Sequence, residues 1–421
     1  MTPQIKEHMR VPRAVPRGGL LVASCVAAVA LRAQSPAVPT LVLDKGAVEF
    51  PLTYGGGPML VELRDGRVLS ADAKNQEIRV LDFVRGTAEV VVRAGPGPLD
   101  YPTTGIFMFG TSDTAVFGSF QRRLIYFSPT GVPVRGVTYD AARIVGMLSP
   151  SGIDASGRLY SRGIGLVVGP SRGACPPQPA DTIPIMRIDL AAGRADTIAR
   201  IARQGALTPS LQTACVDDGS AYPRLTQYYT PRSFLAHDTY TALPDGRIAV
   251  LRAGDYRVRF IGPDGETLGP PIPHIDVPLT AAERDAAMDS ARMTRDRVFE
   301  RSAPAAYSAR MRMEQTARDA GITLPPAPPR VKPEVVEPAT WPQFKAPYDF
   351  IQLAPDGRLL VGTPAPAGDA TRHFDLLDAS GALLAHIQLA PGEAFAGLGR
   401  GTLYTVHGPP GAWVIRRYKL L

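Results

Sequence analysis

At 421 residues, with 45% hydrophobic and 20% charged side chains, the chain has the composition of a folded protein, which excludes a disordered one. Its 41 glycines and 42 prolines are the surplus that many turns require. The net charge of +7 is concentrated at the start, where Lys6, Arg10, Arg13, Arg17 and Arg32 face only Glu7, so the rest of the chain carries +3. Its arginines are dispersed, with no basic stripe interleaved with aromatics, and nucleic acid is excluded as a partner.

Residues 1–33 read as a signal peptide. A basic region precedes the apolar stretch Gly18 to Leu31, which is too short to span a bilayer, and Ala30-Leu31-Arg32-Ala33 offers a cut before Gln34. The expected destination is export, periplasmic or extracellular. The alternative is a lipoprotein: Val22-Ala23-Ser24-Cys25 has lipobox form, with Cys25 as the lipid tether, although the residues after Cys25 stay apolar to Leu31. No later run reaches transmembrane length.

Beyond the leader, a polar turn followed by strand-forming residues recurs six times. It reads Asp65-Gly66-Arg67-Val68-Leu69, Ser112-Asp113-Thr114-Ala115-Val116-Phe117, Ser156-Gly157-Arg158-Leu159-Tyr160, Asp245-Gly246-Arg247-Ile248-Ala249-Val250, Asp356-Gly357-Arg358-Leu359-Leu360-Val361 and Arg400-Gly401-Thr402-Leu403-Tyr404. Asp-Gly between apolar alternations is a strong hairpin signal. Gly66 to Asp113, Asp113 to Gly157 and Gly357 to Gly401 are 47, 44 and 44 residues apart, the period of a four-stranded blade. The expected fold is therefore all-β, a six-bladed β-propeller over residues 34–421. Thr40-Leu41-Val42-Leu43 and Trp413 to Leu420 are end strands without partners, and their pairing would complete the sixth blade.

The first blade, Val68-Leu69-Ser70-Ala71-Asp72-Ala73-Lys74-Asn75-Gln76-Glu77-Ile78-Arg79-Val80-Leu81-Asp82, is similar to the NHL-type propeller repeat. The connector Arg93-Ala94-Gly95-Pro96-Gly97-Pro98-Leu99-Asp100-Tyr101-Pro102 and the closing Gly397-Leu398-Gly399-Arg400-Gly401-Thr402-Leu403-Tyr404 resemble exported bacterial six-bladed propellers of unassigned function. That resemblance implies a fold and no reaction.

The two long gaps hold insertions. Residues 163–238 contain Cys175 and Cys215, which an oxidising compartment would join in a disulfide, and the cluster Tyr228-Tyr229-Thr230-Pro231-Arg232, read as a loop. Residues 279–335 read as a helical hairpin and a Pro-rich return. Thr280-Ala281-Ala282-Glu283 is a capping box, Ser302 and Pro304 restart a second helix, Gly321 stops it, and Met288, Ala291, Met311 and Met313 seek an apolar surface.

No Gly-x-Ser-x-Gly elbow, His-Glu-x-x-His or P-loop is present, and the sequence nominates no catalytic residue. The inner-strand beginnings Glu62, Thr103, His237, Tyr348 and Phe395 are a poor set of oxygen ligands, so neither a metal nor a cofactor is expected. His237-Asp238 would point to opposite faces of a strand. The loops leading into the innermost strands place Asp100, Tyr101, Arg232, His237, Lys345 and Tyr348 around one mouth of the channel, where aromatic faces and charge suit a small polar ligand or a protein partner. The expected function is ligand or protein binding. The alternative is a metal-dependent lactonase-type hydrolase on the same fold, as in the gluconolactonase-like enzymes.

Overall fold

Each repeated turn phrase closes a hairpin wherever the chain is described. In the computed structural model Gly66 and Gly357 lie at φ 82° and 88°, a conformation that a side chain makes costly. The carboxylates of Asp65 and Asp356 accept from the N–H groups of Arg67 and Arg358 at 3.1 and 3.2 Å, so the Asp of the phrase fixes the turn that the Gly permits. The structure describes residues 38–54, 58–101, 105–110, 115–119, 123–138, 150–163, 181–202, 208–216, 224–323, 326, 330–409 and 411–420. The turn Ser112-Asp113-Thr114 therefore lies outside the described residues, as do Cys25, Thr103 and Cys175.

Among the described residues the fold is mostly β, with seven sheets. Four consist of four antiparallel strands in chain order: sheet one with Met59–Glu62, Val68–Asp72, Glu77–Asp82 and Thr87–Arg93; sheet two from Gly105–Gly110 to Pro133–Thr138; sheet three from Pro150–Ile153 to Arg194–Ala202; and sheet four from Thr239–Ala242 to Gly265–Leu268. Sheet five runs from Phe350–Leu353 to Leu383–Leu389, and sheet six contains Ala394–Gly399, Thr402–His407 and Trp413–Lys419. Both receive a strand from the start of the chain.

That start differs from the expected pairing. Thr40–Leu43 lies parallel to Leu383–Leu389 in sheet five, and it is Val48–Tyr54 that pairs antiparallel with Trp413–Lys419. The register shifts between Glu49 and Thr53, around Pro51, which cannot donate to a ladder and is tolerated on an outermost strand.

The first strands of the six sheets face one cavity of about 460 Å³, lined by Leu60, Met108, Gly152, Thr241, Gln352 and Leu398 among others. Neighbouring first strands touch, and Phe350 stacks on Phe395 between sheets five and six with ring centroids 5.7 Å apart. Between sheets, apolar faces interdigitate: Leu69 and Ile78 of sheet one pack with Phe117 and Ile125 of sheet two. Each such buried side chain contributes about 1.5–3 kcal/mol.

The insertions also differ from the sequence reading. Inside 163–238, the alternating run Met186 to Leu190 and its turn at Gly193 do form the third and fourth strands of a blade, Thr182–Asp189 and Arg194–Ala202 of sheet three. Tyr228 and Tyr229 lie in a strand, Arg224–Thr230, paired with Ser210–Val216 and, in parallel, with Glu334–Val335. The two insertions therefore share the seventh sheet. Cys215 is disulfide-bonded. The helical insertion is a single helix, Ala281–Asp319, with Pro304 inside it, in place of a hairpin. A proline there removes the donor that the Glu300 carbonyl would meet, and beside it the carbonyl of Phe299 accepts from Ser302 Oγ at 2.9 Å and from Arg330 Nη2 at 2.8 Å. The capping box forms as expected. Met288 and Ala291 are buried, whereas Met311 and Met313 are exposed. Among the described residues no helix is long and apolar enough to cross a membrane.

Candidate functional site

Two segments that lead into neighbouring first strands run side by side. Residues 232–238 precede Thr239–Ala242 and residues 345–349 precede Phe350–Leu353; Ala346 N–H donates to the carbonyl of Phe234 at 2.9 Å, and Lys345 N–H to that of Val277 at 2.8 Å. With the Pro-rich loop from Thr363 to Arg372 and Glu283 from the first helical turn, they enclose a concavity of about 410 Å³.

Four of the six residues nominated from the sequence meet here: Arg232, His237, Lys345 and Tyr348. His237 is buried, with Nε2 3.2 Å from the carbonyl of Asp349 and Nδ1 3.4 Å from that of Leu235. Its neighbour Asp238 instead accepts from the N–H groups of Ala202 and Ala253, both at 2.8 Å, and so joins sheets three and four. Lys345 Nζ pairs with Glu283 and donates to the carbonyl of Ala365 at 2.8 Å. Burial pushes the Glu283 carboxyl up, but hydrogen bonds from Lys345 and Thr280 outweigh it and hold the group below its ordinary range. Lys345 is therefore a tie between helix and loop. Tyr348 stacks on Tyr256 at 5.6 Å, and Tyr256 donates to Asp375, which also binds His386.

Asp100 and Tyr101 are not brought into this concavity. Asp100 accepts from Gly97 N–H at 2.6 Å and braces its own connector. Tyr101 is only 1% exposed, packs on Phe117 at 4.8 Å, and has its hydroxyl pushed up to about 12 by burial. Both serve packing, and replacing Tyr101 would truncate a core.

The sequence reading missed Asp349 and Arg372. Burial raises the Asp349 carboxyl above its ordinary range, and the charges of Arg372, Arg232 and His237 oppose this only in part. Asp349 Oδ1 and the Tyr348 hydroxyl are buried without a hydrogen-bond partner among the described residues. A Cβ on Gly362 would lie 2.1 Å from Asp349 Oδ1, so that glycine makes room for the carboxyl. A Gly within the run Leu359 to Thr363 was the available signal. Arg372, on an irregular loop, had none. Neither Arg232 nor Arg372 closes an ion pair among the described residues; Arg232 lies over the Phe234 ring at 4.6 Å. At the rim, hydrogen bonds from the Thr371 hydroxyl and backbone, then from His373, hold Asp369 at about 2 and anchor the loop.

The arrangement offers two guanidinium groups that close no ion pair among the described residues and a carboxyl that burial raises above its ordinary range. Chemically, a guanidinium fork matches carboxylate or phosphate oxygens. Among the described residues no group of three or more His, Cys, Asp or Glu could hold a metal ion.

No protein-family model matches the chain, and no curated protein sequence does. Among solved structures it is similar to a gluconolactonase from Xanthomonas campestris, at 13% identity and TM-score 0.38 over 92% of this chain and 99% of that one. It is also similar to regucalcin, a calcium-binding protein from Agrobacterium tumefaciens, at 13% identity and TM-score 0.35 over 91% and 98%. Virginiamycin B lyase from Staphylococcus aureus matches at 11% identity and TM-score 0.36 over 89% and 99%. At these scores the likeness assigns no activity.

Proposed function

We propose that residues 34–421 form a closed six-bladed β-propeller with an NHL-like first blade, exported behind the leader 1–33, with Cys175 bonded to Cys215, and that it binds a small anionic ligand in the concavity between sheets four and five. The closed ring is supported by the single cavity that all six first strands line. Binding is supported by one observation above the others: Arg232 and Arg372, neither of which closes an ion pair among the described residues, line one concavity together with His237 and Asp349.

Thermal melts with phosphate or acetate, against glycerol at equal concentration, test this reading. Both anions are expected to raise Tm in proportion to the logarithm of their concentration, and more strongly at acidic than at neutral pH, where Asp349 loses its donating proton. Equal effects of the anions and glycerol would refute it.

A second reading, turnover of the same ligand by a hydrolase or lyase reaction, is favoured by the raised pKa of Asp349, because a buried carboxyl of that kind suits a general acid. Incubation with small lactones and esters separates the readings. Acid release that disappears in Asp349→Asn supports an enzyme, and its absence across the panel leaves binding.

A further inference from the structure

A second concavity, of about 340 Å³, adjoins the first and shares Arg232, Ser233, Phe234 and Leu235 with it. Its chemistry is different. Tyr228, Pro231, Phe234, Leu235, Pro338 and Trp341 line it with aromatic and apolar surface, beside the uncharged polar Gln212, Thr230 and Thr340. Trp341 is held by a bond from its Nε1 to Glu337 at 2.8 Å and lies 6.1 Å from the Phe234 ring, while Leu235 is 58% exposed at the boundary of the two spaces. The seventh sheet, which joins the two insertions, supplies Tyr228, and the segment after Glu334–Val335 supplies Pro338 and Trp341.

Resting on the anion reading above, we propose that the ligand is amphipathic: its anionic group sits between Arg232 and Arg372, and a planar apolar group attached to it lies in the cleft of Trp341 and Tyr228. Continuity supports one ligand over two. Arg232 and Phe234 belong to both walls, and the guanidinium lies over that ring at 4.6 Å, so charge and aromatic surface meet where the two spaces join. Prolines and aromatics on both sides lose little entropy when a flat ring settles between them.

Calorimetry with acetate and 3-phenylpropionate, on the whole protein and on variants, tests the proposal. The phenyl acid is expected to bind at least tenfold more tightly than acetate and to quench tryptophan fluorescence. That gain should vanish in Trp341→Ala, and in Tyr228→Ala if the first variant does not fold, while acetate affinity stays unchanged. Equal affinity of the two acids, or a gain that survives both variants, would overturn the proposal and leave the anion reading intact. A phenyl gain that is present while Arg372→Gln weakens neither acid would refute the anion reading instead. Binding of neither acid would overturn both.

Discussion

Glu62→Ala is expected to lower the stability of the protein by roughly 3 kcal/mol or more, because it strips a buried carboxylate from three donors at once. Glu62, at the end of the first strand of sheet one, is 5% exposed. Its Oε2 accepts from the hydroxyls of Thr402 and Tyr404, both at 2.6 Å, and its Oε1 from the N–H of Arg400 at 2.8 Å. All three donors belong to sheet six, so one side chain fastens the first sheet to the last. Gly399 leaves the room it occupies, since a Cβ there would overlap Glu62 Oε2. Burial, followed by the charge of Glu62, pushes the Tyr404 hydroxyl up and keeps it a donor. In the variant that hydroxyl is left buried and unpaired. Urea unfolding should show a lower midpoint with an unchanged slope, and Glu62→Gln, which keeps the volume and part of the bonding, should lose less. A loss below about 1 kcal/mol for the alanine variant would mean that the contact does not hold the two sheets together.

The opposite sign is expected for Asp349→Asn. An acid whose pKa is higher in the folded than in the unfolded chain binds more protons when folded, so stability falls as pH rises through the interval between the two values. Above that interval the wild type bears the whole cost of a buried carboxylate; below the unfolded value, about 4, it bears none. The asparagine variant should therefore be more stable at neutral pH, by roughly 0.5–2 kcal/mol, the usual range when a functional compromise is relieved. The advantage should shrink to nothing as pH falls below about 4. Anion binding in the variant should lose its dependence on pH. Chemical unfolding at a series of pH values checks both the sign and the window, and a variant less stable at neutral pH would contradict the account.

The turns were legible because Asp-Gly dictates local geometry without help from the rest of the fold, and Gly66, Gly157, Gly246, Gly357 and Gly401 all adopt positive φ. Pairings set by distant contacts were not. Pro51 weakens the strand signal of Val48–Tyr54, which pairs with the last strand, and Thr40–Leu43 finds its partner in sheet five, a contact that no local pattern announces. Pro304 was read as a helix boundary, and nothing near it in sequence announces that Arg330 reaches the Phe299 carbonyl. In the site, the repeat register was enough to bring Arg232, His237, Lys345 and Tyr348 together, because they precede neighbouring first strands. Register could not say which side chain faces a concavity and which a core, and Tyr101 and Asp349 exchange the roles their residue types suggest.

The measurement that bears most directly on the central claim is a calorimetric titration with inorganic phosphate of the wild type, Arg232→Gln and Arg372→Gln. Neither arginine closes an ion pair among the described residues and both are exposed at the concavity, so the fold should survive either substitution. Loss of a charge-assisted hydrogen bond is worth about 1.5–3 kcal/mol, and the account predicts a Kd weakened by roughly tenfold or more in each variant with Tm of the free protein unchanged. Affinities within about twofold of the wild type in both variants would contradict it, and would move the function of this protein away from the concavity between its fourth and fifth sheets.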